Sequence, residues 1–414
     1  MAFTLDRRRF LTGTAAAAAA AVAPRAPAIA AAPPVRIGLM TVRTGPLAQG
    51  GIQMEQGFDL FLKHRNATLA GRKVDLIVAD TGGNPAGART KAQELIERDQ
   101  VDVIVGPLAA FELLAISSYV EQHKVPMLSL AAADDMTQRK PNAYFVRASA
   151  TSSQCMHPLG DYAAKTMKLK RVATISEDFA FGYEQIGGFQ EVFEDAGGRV
   201  VKKLWPPLVT ADFTPYISQL ADIDGVVNGF AGANPIKFNQ QYAELGAKAK
   251  YPILGGWTAY DDALLKSFGD DAVGAISASW YSSTLDTPSN KRFVADMMKL
   301  YGNVPGGYAA GLYINGMCIE AALKQTGGKT EDKPALIAAL RAVSLTDTPR
   351  GPFHFDPLGN VVGDVFIRRL ERKDGKLTNT IIKAYPNVSQ FWTYDEKAYL
   401  AKPVYSRDYP PLKS

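Results

Sequence analysis

The chain has 414 residues, 47% hydrophobic and 21% charged, with a formal net charge of +5. Arg7, Arg8, Arg9 and Arg25 against Asp6 supply +3 of that within the first 32 residues, leaving +2 (5 − 3) on the rest. Lysine and arginine are scattered without a basic stripe, which excludes a nucleic-acid binder. About 380 residues remain after that segment, enough for two domains with full cores.

Residues 1–32 read as a signal peptide. Asp6-Arg7-Arg8-Arg9-Phe10-Leu11 precedes nine apolar residues from Ala15 to Ala23, a run too short to span a bilayer. The Arg-Arg-x-Phe-Leu pattern resembles a twin-arginine export signal, with an ordinary secretory signal as the alternative. Ala28-Ile29-Ala30 fits cleavage after a small residue. The expectation is an exported, periplasmic protein.

Strand and helix patterns then alternate almost to the end. A strand at 35–41 leads to a helix at 49–66, and a strand at 73–80 leads to a helix at 85–98. The apolar, β-branched run 101–105 reads as a buried strand, ended by Gly106-Pro107. A helix at 111–122 and a strand at 125–128 complete a βαβ unit, and a short strand at 144–147 follows. The second series has a helix at 153–167, strand 171–176, helix 183–196, strand 199–204, helix 213–221, strand 225–228, helix 235–245, strand 252–255 and a weaker strand at 275–280. Helices at 290–301, 309–326 and 333–342 precede a β-rich end with turn signals at Gly359-Asn360 and Asp374-Gly375.

Two βα series predict an α/β fold of two Rossmann-like lobes joined by a multi-stranded hinge. Lobe one is expected at 33–147 and 282–350, lobe two at 148–281 and 351–385, with a tail at 386–414. Cys155 and Cys318 lie on helical patterns in different lobes, and two buried thiols are the favoured reading over a disulfide across the hinge.

Catalytic signatures do not emerge. His64, His123, His157 and His354 have no metal-ligand spacing, and neither a G-x-S-x-G elbow nor a phosphate-binding Gly-Lys-Ser/Thr sequence occurs. The expectation is a non-enzymatic binding protein without cofactor or metal. In open α/β sheets, ligands sit beyond the carboxyl ends of the strands, here at 108–111 and 131–134. Aromatic residues recur at such ends: Phe111, Phe179, Phe181, Phe230, Trp257, Tyr260, Trp280 and Tyr281. They predict an aromatic-lined cleft. Arg43, beside Thr44, offers a guanidinium for a carboxylate; the alternative is a salt bridge to Asp80 or Glu55.

The segments 37–51 (IGLMTVRTGPLAQGG), 78–107 (ending VDVIVGP), 123–138 (HKVPMLSLAAADDMTQ), 144–154, 178–183 (DFAFGY), 212–220, 229–246 and 251–257 (YPILGGW) resemble, in order, the leucine/isoleucine/valine-binding class of periplasmic binding proteins that serve ABC importers. The resemblance runs from about Val35 to Gly363. It implies a type I periplasmic fold, a small-molecule ligand held between closing lobes, a membrane permease as partner, and a monomer. In that family hydroxyl and backbone groups after Val-Gly-Pro and after the next strand hold the ligand carboxylate. These positions fall here at Ala109, Ala110, Phe111 and at Ala131, Ala132, Ala133. The family's Tyr-Gly aromatic corresponds to Phe181, a further aromatic to Phe230 or Ala231, and the usual acidic partner of the ammonium to Trp257. Missing hydroxyls and a missing acid point to the aromatic-acid branch, with Arg43 and Thr44 as carboxylate partners. A branched-chain amino acid or amide ligand, or a sensory rather than an import role, is the alternative.

Overall fold

The computed structural model describes residues 32–413. The expected signal peptide therefore lies outside the described residues, apart from Ala32. Both lobes are built on a parallel sheet with the same strand order.

In lobe one, β1 (Val35–Thr41) sits between β3 (Arg72–Asp80) and β4 (Val103–Val105). The short β2 (Thr68–Leu69) forms one edge, and β5 (Met127–Leu128) and β6 (Phe145–Val146) extend the other. β1 is buried along nearly its whole length, as a central parallel strand covered on both faces must be. α1 (Ala48–His64) and α2 (Pro85–Gln93) pack on it, and α3 (Ala110–Gln122) packs beside α2. Asn84 caps α2 by accepting from the Gly87 N–H at 2.9 Å, with Pro85 at the first helical position.

The chain then crosses over. α4 (Met156–Lys165), β7 (Arg171–Ile175), α5 (Ala180–Asp195), β8 (Arg199–Leu204), α6 (Thr214–Ile217), β9 (Gly225–Asn228), α7 (Asn234–Glu244), β10 (Ile253–Gly255) and β11 (Ile276–Ser279) build lobe two in the order β8-β7-β9-β10-β11. The helix expected over 213–221 shrinks to the four residues of α6; beyond it the Gln219 and Leu220 N–H groups bond three residues back, to the Tyr216 and Ile217 carbonyls, as tight turns.

α8 (Pro288–Tyr301), α9 (Gly307–Gln325) and α10 (Lys333–Arg341) return to lobe one, where α9 lies along α1. The last strands belong to the second sheet: β12 (Ser344–Leu345), β13 (Phe353–Phe355), β14 (Val361–Lys373) and β15 (Lys376–Val388) add antiparallel pairs beyond β11. β15 runs past residue 385, and the chain after it is anchored. α11 (Glu396–Leu400) follows, with Phe391, Tyr399 and Tyr405 buried together.

Two buried arginines knit the crossing segments. Arg147 donates to the carbonyls of Ala131 and Ala133, to Thr137 and to Asn360. Arg350 donates to the carbonyls of Ala148 and Ser149. Cys155 and Cys318 are buried and unbridged, and burial pushes the Cys155 thiol up to about 12, into the inert range. No helix among the described residues is long and apolar enough to cross a membrane.

Candidate functional site

In each sheet the strand order reverses beside one central strand, and ligand clefts form at such switch points. The relevant loops follow β1 and β4 in lobe one and β7 and β9 in lobe two. They meet. Leu47, Leu108, Ala109 and Ala110 face Phe179, Phe181 and Ala231 across a slot closed by Leu130, Ala132, Trp257, Thr258 and Tyr308. None of these side chains is charged. The enclosed volume is about 30 Å³, room for about two water molecules.

Aromatic rings make the walls. Phe111 meets Phe179 edge-on at 5.5 Å, Phe179 stacks on Phe181 at 6.1 Å, and Trp257 lies 4.9 Å from Tyr308. The first and last of these pairs join one lobe to the other.

Two helices begin at this slot, α3 from lobe one and α5 from lobe two. Their N-caps are Ala109 and Phe179, and neither side chain caps the helix. Among the described residues, no group accepts from the first-turn N–H of Ala110, Phe111, Ala180 or Phe181. A helix N-terminus carries about half a positive charge and unsatisfied donors, so these open N–H groups offer an anion hydrogen bonds without any cationic side chain.

Buried carboxylates already sit at two of the nearby helix starts. Glu112, in the first turn of α3 itself, accepts from the Ala109 N–H at 3.0 Å and from the Thr81 hydroxyl. Buried Glu177 accepts from the Ala231 N–H at 3.0 Å and from Asn234, at the start of α7. Desolvation pushes the Glu177 carboxyl up to about 8. Asp261 of lobe two accepts from the Gly307 N–H at the start of α9 in lobe one, at 2.7 Å, and burial with its neighbour Asp262 raises it to about 6. That contact needs glycine at 306, because a Cβ there would fall on the Asp261 carboxylate.

The positions singled out from sequence separate into two groups. Ala109, Ala110, Ala132, Phe181 and Trp257 line the slot, and Phe111 backs it through Phe179. Arg43 does not reach it: the guanidinium is held by both oxygens of Glu55 at 2.8 Å on the surface, the alternative left open above. Thr44 is exposed in the turn before α1. Phe230 points into the core of lobe two against Phe213 and Phe238, and Ala231 takes the slot position instead. Ala131 and Ala133 are buried, with their carbonyls turned to Arg147. Sequence reasoning missed Tyr308, which arrives from α9 more than 250 residues after Leu47. Leu108 falls within the expected loop 108–111, whereas Leu130 gave no signal beyond adjacency to the loop at 131–134.

Two lobes with switch-point loops meeting over an uncharged slot define the solute-binding class of two-lobe α/β proteins. The description "Periplasmic binding protein" matches residues 34–376, and the chain belongs to that family, as an ABC-type substrate-binding protein. It is 28% identical over 352 residues to "Leu/Ile/Val-binding protein homolog 6" of Brucella melitensis biotype 1, covering 82% of this chain and 88% of the relative. Among solved structures it is similar to a solute binding protein of an ABC transporter from Rhodopseudomonas palustris BisB5 in complex with 3,4-dihydroxybenzoic acid. That match has 35% identity and a TM-score of 0.82, over 86% of this chain and 98% of the other. A second R. palustris solute binding protein, in complex with 4-hydroxybenzoate, matches with 28% identity and a TM-score of 0.81, again over 86% and 98%.

Proposed function

We propose that the protein is a periplasmic receptor for an aromatic carboxylate, which it binds between its lobes and delivers to a membrane permease. The observation that carries this reading is the pairing of open first-turn N–H groups, at Ala110–Phe111 and Ala180–Phe181, with an aromatic, uncharged slot. The carboxylate takes the N–H groups at Ala110–Phe111 and Ala180–Phe181. The ring takes the walls formed by Phe179, Phe181, Trp257 and Tyr308, each stacked pair worth about 0.5–1.5 kcal/mol beyond area burial. The ligand complexes of the two R. palustris proteins support the same class.

The names of the curated relatives favour a second reading, a branched-chain amino acid. Its ammonium would enter a slot whose own lining includes no acid. Asp261 walls the adjoining chamber but already accepts from the Ala263 and Gly307 N–H groups, and an ammonium left unpaired in the slot costs several kcal/mol.

The mechanism follows from the closed geometry. With about 30 Å³ enclosed, no aromatic acid enters until the lobes part, so binding and closure are one equilibrium. We take the moving bodies as residues 33–147 with 282–350, and 148–281 with 351–385. A thermal-shift panel on the exported chain tests the ligand class: benzoate and its ring-substituted relatives should raise the melting temperature by mass action. Stabilisation by leucine or valine, and by no aromatic acid, would overturn it.

A further inference from the structure

Beyond β15 the chain runs on through residues 389–413, and none of them lines the slot. Their hold on lobe two follows α5 from end to end. Arg407 pairs with Asp178 at 2.9 Å, just before the helix. Lys402 and the Tyr405 hydroxyl both meet Glu191. The Tyr394 hydroxyl donates to Asp195 at 2.7 Å, and the Gln190 amide donates to the Pro411 carbonyl at 3.0 Å. Buried Tyr405 lies in a notch that needs glycine: a Cβ at Gly187 would come within 2.3 Å of its ring.

The hold on lobe one is narrower. Arg139 donates to three carbonyls at the end of α11, that of Lys402 at 2.8 Å and those of Tyr399 and Pro403 at 3.3 Å each. Asp135 pairs with the same guanidinium at 3.3 Å. Gln390 exchanges two hydrogen bonds of 2.9 Å with Thr137. Thr137 and Arg139 continue the loop that brings Ala132 to the slot, and Asp178 precedes Phe179 on the facing wall. The segment therefore bridges the two lobes beside the cleft. Water is a good substitute for a carbonyl on a guanidinium and a poor one for a ring packed on α5. When the lobes part, the Arg139 end is the one that lets go.

We propose that residues 389–413 are a strap, carried by lobe two and latched onto lobe one through Arg139, and that the latch stabilises the closed form whatever ligand lies inside. The proposal rests on closure between the lobes and not on the ligand being aromatic.

Arg139→Ala frees the latch, and Gly187→Ala lifts Tyr405 from α5, two breaks at opposite ends of one strap. Calorimetry with benzoate and with leucine reads both variants and the double variant. Each single variant should weaken the probe that binds about tenfold. The double variant should weaken it no further, since a strap open at one end has nothing left to lose at the other. Local damage at two separate sites would instead multiply to about a hundredfold. Losses under about threefold in the single variants, or a double variant near the product of the two, overturn the strap. If neither probe binds, small-angle scattering without ligand decides: larger radii of gyration in both single variants support the latch, and unchanged radii overturn it. Leucine binding with no benzoate binding overturns the aromatic reading alone, and the strap is then judged on the affinity for leucine.

Discussion

Gly306→Ala should separate closure from folding. Gly306 has φ −100° and ψ −169°, an extended conformation open to alanine, and lobe one needs nothing else from the missing side chain. Across the cleft, however, the new Cβ occupies the place of the Asp261 carboxylate. Asp261 must then release the Gly307 N–H, a charge-assisted bond of 2.7 Å between the lobes. Hydrogen bonds to charged groups contribute about 1.5–3 kcal/mol, and about 1.4 kcal/mol is tenfold in affinity. Ligand affinity should therefore fall roughly 10- to 150-fold, while the ligand-free melting temperature shifts by no more than about 3 °C. Calorimetry gives the affinity, and small-angle scattering should show the ligand failing to compact the variant. An affinity within threefold of the unmodified protein would refute the idea that this contact holds the closed form.

Further outcomes follow from the same geometry. Trp257→Ala should weaken aromatic-acid binding by about 2–4 kcal/mol, as for a buried aromatic anchor, read by calorimetry. Arg43→Ala should change affinity less than twofold and carry no preference for carboxylates over amides, because the guanidinium is spent on Glu55 at the surface. Stability should fall as pH rises from about 5 to 8: Glu177, raised to about 8 by burial, contributes stability that is fully present below its unfolded value and lost as pH climbs through the folded one. Asp134, raised to about 6, acts in the same direction. Denaturant melts of Glu177→Gln should show a flatter decline over that range. On the acid side His157, buried and pushed down to about 3, works the other way, contributing stability above about pH 6.5 that is lost as pH falls towards 3.

What could be read from the sequence was local. The βαβ unit around 101–128 shows in its apolar runs and its Gly106-Pro107 stop, and it places Ala109 and Ala110 at a strand end. The aromatic residues after β7 and β10 were visible in the same way. Within a loop, however, the side on which a residue projects depends on backbone turns that sequence does not record. Phe230 and Ala231 are adjacent, yet one fills the lobe core and the other lines the slot. Arg43 failed for a related reason. Glu55 is twelve residues away, and only the packing of α1 beside the first loop brings the two together. Tyr308 was out of reach because it depends on α9 returning to α1 after the whole of lobe two. The hydroxyls missing at Ala109 and Ala110, which read as a loss, leave the first-turn N–H groups of α3 open beside the slot.

The central claim is that the open N–H groups of α3 and α5 select a carboxylate on an aromatic ring. Calorimetric titration of the exported chain with benzoate, benzamide and leucine, side by side, tests it most directly. The account predicts micromolar binding of benzoate, at least a hundredfold weaker binding of the neutral benzamide, and no heat from leucine. Equal affinity for benzoate and benzamide, or leucine binding alone, would contradict it.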